Sequence, residues 1–131
     1  MCRSGSLSAS KPVSVRDHQA FIEALVERNP SIGADLIRRE GLYSRARTDA
    51  PLNALVESLD DEQRELLARI VQQERTSAIF AALVELHERC ALDDWTLQRN
   101  GTRIPHEPFG YTMFEEFITL LDDERGWDAL T

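Results

Sequence analysis

The stretch DDEQRELLARIVQQERTSAIFAALVELHERCA, residues 60–91, decides the fold class. It contains neither Gly nor Pro, and its apolar residues recur with a helical period. Asp60 and Gln63 stand at capping-box spacing at its start, so a helix from there to about residue 91 is expected. Leu66, Leu67, Ile70 and Val71 form its first apolar face. Residues 78–84 are apolar all round, the pattern of a helix packed on several sides. The polar interval at residues 72–77 is where a kink or break is expected.

Upstream, Asp49 is placed to cap a short helix with Pro51 in its first turn and Leu52, Leu55, Val56 and Leu59 toward the core. Ser31 caps another, with Ile32, Leu36 and Ile37 as its apolar face and Gly41 as its stop. Before Asn29-Pro30, a first helix is expected over about residues 15–28, with Ser14 and Asp17 as a capping box. Its apolar stripe holds Val15, His18, Phe21, Ile22, Leu25 and Val26. Residues 1–12 are Ser-rich, with Gly5 and Pro12, and read as a flexible tail to a single helical domain spanning 13–131.

Downstream of Asp93-Asp94 the period changes to two. Trp95 and Leu97 alternate with Thr96 and Gln98, and Asn100-Gly101 is the preferred pair for a type I′ turn. A hairpin over about residues 95–104 follows, with Leu97 opposite Ile104 and Pro105 ending the second strand. Thr112 and Glu115 cap a last helix carrying Met113, Phe114, Phe117, Ile118, Leu120 and Leu121. The expected fold is mainly α: a helical bundle of about five helices with one small β-hairpin before the last helix.

The chain has 131 residues, the size of one core, and only two cysteines, Cys2 and Cys90. No disulfide framework can be built from them, which suits a reducing compartment. Neither a signal peptide nor a membrane span is readable, so a cytoplasmic protein with no membrane partner is expected. Net charge is −8, divided as +3 over residues 1–47 and −11 over residues 48–131. Such a field repels nucleic-acid phosphates and favours a basic protein partner. Fourteen of the fifteen basic residues are Arg, a bias of base composition that bears on no function.

Candidate sites are few. His87 and Cys90 have zinc-ligand spacing on one helix, but Cys2, His18 and His106, the candidates to complete a site, are scattered. A packed His and a small buried thiol explain them, and no metal or cofactor is assigned. His18 needs Asp17 or a distant carboxylate to orient it before it acts as a base. There is no nucleophile elbow, phosphate loop or Glu-x-x-His pair, and no catalytic residue is assigned. Glu115-Glu116 and Asp122-Asp123-Glu124 read as solvated helix-end charge. Arg38, Arg39, Arg45 and Arg47 around Tyr43 offer forks that suit an anion, but an internal or dimeric contact with the acidic remainder is the preferred reading.

The block at residues 95–113 is the most distinctive part of the chain. Its architectural reading makes Pro105 and Pro108 stiffeners, Gly110 a special backbone angle and Phe109 an anchor. Its functional reading is an interaction surface of Arg103, His106, Glu107, Phe109 and Tyr111. Through Leu86-His87, Trp95-x-Leu97, Gly101-x-x-Ile104-Pro105, Pro108-Phe109-Gly110 and Met113, residues 53–127 resemble a family of small uncharacterised bacterial proteins. The resemblance implies a helical bacterial domain of unknown function and carries over no catalytic residue. The expected function is an acidic interaction or regulatory module, immunity-like, that neutralises a basic partner. The alternatives are an enzyme with a shallow site near His87 and His106, and a structural homodimer. A pocket joining those histidines to Glu107 or Glu115 favours the enzyme, and a flat face favours binding.

Overall fold

The computed structural model describes residues 11–130. Cys2 and the expected tail, apart from Lys11 and Pro12, lie outside the described residues. The α-helices are α1 (Val13–Glu27), α2 (Ile32–Glu40), α3 (Ala50–Ser58), α4 (Asp61–Leu92) and α5 (Met113–Asp122). Strands β1 (Leu97–Arg99) and β2 (Thr102–Ile104) lie between α4 and α5, and 3-10 turns occupy Arg47–Asp49 and Gly126–Leu130. The chain is mainly α with one small antiparallel hairpin before the last helix, as the periodicity requires. No helix among the described residues is long and apolar enough to cross a membrane.

Contacts divide the described residues into two compact units: 28–79, and 11–27 with 80–130. In the first, Ala34, Ile37, Val56 and Ala68 form the core, with Leu67 and Val71 packed against it. Ser31 Oγ caps α2 by accepting from the Ala34 N–H at 3.1 Å, and Gly41 ends it with φ 65°. Asp60 and Gln63 bond reciprocally at 2.8 and 3.0 Å, the expected capping box. Asp49, however, caps nothing with its side chain, which accepts instead from the Ser44 hydroxyl. The Arg64 guanidinium donates to the Val56 and Glu57 carbonyls, satisfying the frayed end of α3.

The expected break at residues 72–77 is absent, and α4 is one helix. The interval is polar because it holds a loop. Gln72 accepts from the Ser31 N–H at 2.8 Å and donates to the Asn29 carbonyl at 2.9 Å, while Arg75 donates to the Arg28 carbonyl. Leu52, Leu55, Leu66 and Ile70, expected in the core, are exposed, because Val56, Leu67, Ala68 and Val71 take the inward stripe. Arg38, Arg39 and Arg45 pair with Glu65, Asp35 and Glu40.

In the second unit α1 packs on α5 and β2, and α5 on the last 3-10 turn. Ile22, Leu83, Met113, Phe117 and Leu130 are buried. Helix α1 starts at Val13, directly after Pro12, so Ser14 lies inside it and is no cap. Asp17 instead binds Arg99 of the hairpin at 2.9 Å. Leu97 pairs with Ile104 and Arg99 with Thr102. Asn100 and Gly101 take φ 51° and 79°, the signs a type I′ turn demands. Thr112 Oγ1 caps α5 by accepting from the Glu115 N–H at 3.1 Å. Along residues 78–84 only Leu83 is buried and Ala78, Ala81 and Ala82 are exposed, so this segment is packed on one side rather than several.

Candidate functional site

All three histidines of the chain fall in the second unit. The helical period of α1 turns His18 inward with Ile22, and that of α5 turns Glu116 inward with Met113 and Phe117. Both are fully buried, and His18 Nε2 lies 2.7 Å from Glu116 Oε1, within hydrogen-bond distance. Their other polar atoms, His18 Nδ1 and Glu116 Oε2, have no partner among the described residues. The reading of Glu115-Glu116 as solvated charge holds for Glu115 and fails for Glu116. A signal was available: Glu116 sits three residues after Met113 on the apolar stripe of α5.

His87 comes from α4 and is 5% exposed. The N–H of Met113, first residue of α5, donates to its Nδ1 at 3.4 Å. The imidazole proton therefore sits on Nε2, 2.8 Å from Glu107 Oε1. Pro105 ends β2, and the chain turns to place His106 and Glu107 over this spot. The rings of His87 and His106 meet edge to face at 5.1 Å. Burial, reinforced by His87, holds the pKa of His106 below its ordinary value. Oxygen or nitrogen donors of His87, His106 and Glu107 lie within 4.8 Å of one another. Cys90 is not among them: it is buried, and burial pushes its thiol pKa up.

Of the five residues read as an interaction surface, three meet. Arg103, His106 and Glu107 line an open cleft of about 430 Å³ with Ser14 and Pro105. Tyr111 lines a different, more apolar cleft beside Phe80, Phe114, Ile118 and Leu130. Phe109 turns inward, its ring 5.5 Å from Trp127 and 6.3 Å from His18, which is the anchoring role. His87 does not line the first cleft but reaches Glu107 from the buried side.

Residues 11–127 match the model of a family of unknown function (DUF6547). The chain belongs to that family. The match takes in both His–Glu pairs, the hairpin and every residue lining the first cleft. No curated protein and no solved structure matches the chain.

Proposed function

We propose that the protein is a cytoplasmic binding module, of a regulatory or immunity-like kind, that meets a protein partner through residues 95–113. The observation that carries this reading is a block held rigid and yet left uncovered. Arg99 is tied to Asp17, Glu107 to His87, and Phe109 packs on Trp127. At the root of the same block Trp95 is 58% exposed, and Leu92 just before it is 77% exposed. An exposed Trp forgoes the stabilisation that burial brings, and a partner that covers it restores it. A backbone already fixed loses little entropy on association. The charge of −11 over residues 48–131 favours a basic partner and a fast, salt-sensitive encounter.

Comparative capture tests it. Tagged wild type and Trp95→Ser, matched for helical content by circular dichroism, are exposed to extract of the source cells at low and moderate salt. A basic protein retained by wild type and lost by Trp95→Ser supports the reading. Equal retention by both removes the block from the interface.

A second reading, an enzyme, is favoured by one observation: His106 and Glu107 share a cleft with the exposed cation Arg103. A small anionic compound that shifts the His106 ring resonances and is converted to product supports it. Conversion unchanged in His106→Ala counts against it.

A further inference from the structure

We infer that His87, His106 and Glu107 bind one divalent transition-metal ion of the zinc class, clamping the 95–113 block onto α4. The three side chains come from two elements distant in sequence, and their donor atoms already lie within 4.8 Å of one another. Two imidazoles and a carboxylate are the donor set that late first-row divalent ions take, whereas calcium and magnesium require oxygen shells. Bonds of about 2.0–2.1 Å in a tetrahedral site set donor-to-donor edges of about 3.4 Å. Closing the present cluster to that size takes about an ångström of movement, which the half-buried His106 ring and the exposed Glu107 carboxylate supply by side-chain rotation on a backbone that stays fixed. The cleft they line gives the ion its way in and leaves a fourth position for water or a partner's side chain.

In the metal-free protein the His87 proton lies on Nε2 against Glu107, with Nδ1 accepting from the Met113 N–H. The ion takes Nε2, and that proton passes through solvent to Nδ1. Two donors then face each other, so the long Met113 contact is given up. Arg103, exposed on the same cleft wall, is the opposing charge. The site is thus one of moderate affinity, and replacing Arg103 strengthens it.

The inference does not depend on a partner, so its failure and that of the binding-module reading are separable. The full chain, stripped with chelator, is titrated with zinc chloride by calorimetry and with cobalt(II) by visible absorption. One saturable site is expected, with the Met113 amide resonance moving on zinc addition. His106→Ala and Glu107→Ala, each verified as folded by circular dichroism, weaken it by more than about tenfold. Arg103→Gln tightens it. No saturable binding, or equal binding by wild type and both variants, overturns the inference; the latter identifies scattered surface carboxylates as the ligands.

Discussion

Glu116 faces the core of its unit from α5, and the only hydrogen-bond partner of its carboxylate among the described residues is His18, 98 residues earlier. Removing one member strands the other in a dry site, and breaking such a pair costs about 3–5 kcal/mol. Glu116→Ala is therefore expected to lower the unfolding free energy by about that much in a urea melt. Glu116→Gln, which keeps an oxygen within reach of Nε2, loses less. A loss under about 1 kcal/mol in Glu116→Ala means that the pair is not as buried as described. Asp123 is an opposite case, an exposed-side carboxylate held by Arg125 at 2.8 Å. Its pKa is lowered from 3.8 to about 2, chiefly by the Arg125 side-chain hydrogen bond. A depressed carboxylate stabilises the fold above its unfolded pKa, and that contribution disappears as pH falls from about 4 through about 2. The stability gap between wild type and Asp123→Asn should be constant at neutral pH and vanish across that acid window. A gap independent of pH removes the Asp123–Arg125 bond as its cause.

Helix α4 shows how an element's sequence can mislead. Its polar interval breaks the apolar stripe but not the helix, because Gln72 and Arg75 spend their polarity on the backbone of residues 28–31. Gln72→Ala sets two effects against each other. Alanine improves helix propensity by a few tenths of a kcal/mol. Unpairing the Ser31 N–H and Asn29 carbonyl costs about 1–3 kcal/mol, so thermal unfolding should occur at lower temperature with helical content unchanged. A rise in melting temperature would show that the loop gains nothing from Gln72. At the hairpin, Gly101 adopts φ 79° and has nothing within 4 Å of where a Cβ would sit. Gly101→Ala then carries only the backbone penalty, about 1–2 kcal/mol, and a neutral result excludes the left-handed turn. Capping boxes, the Gly41 stop and the Asn-Gly turn were legible because each is settled within a few residues. The Ser14 cap was misread because Pro12 starts α1 earlier, and the Asp49 cap because Ser44 takes its carboxylate.

The described residues divide into two contact units, and the boundary between Ile79 and Phe80 falls within α4. The unit Arg28–Ile79 has about fifty residues and four fully buried apolar side chains, too few to offset its ordering entropy alone. Phe117→Ala, a cavity of about 3–5 kcal/mol in the other unit, should accordingly lower amide-exchange protection along α4 on both sides of Ile79. Loss confined to residues 80–92 would mean that the first unit holds itself up. The sequence by itself determined the helices, the hairpin with its register, and the concentration of negative charge after residue 47, because period, caps and composition are local or additive properties. It could not decide which apolar stripe of α3 and α4 turns inward, or that Glu116 is buried. Nor could it show that His87, His106 and Glu107 share one place, since such encounters depend on how distant segments pack. The tertiary structure decided those, and it moved the weight of the 95–113 block from a surface of five residues to a cleft of three with an inward anchor at Phe109.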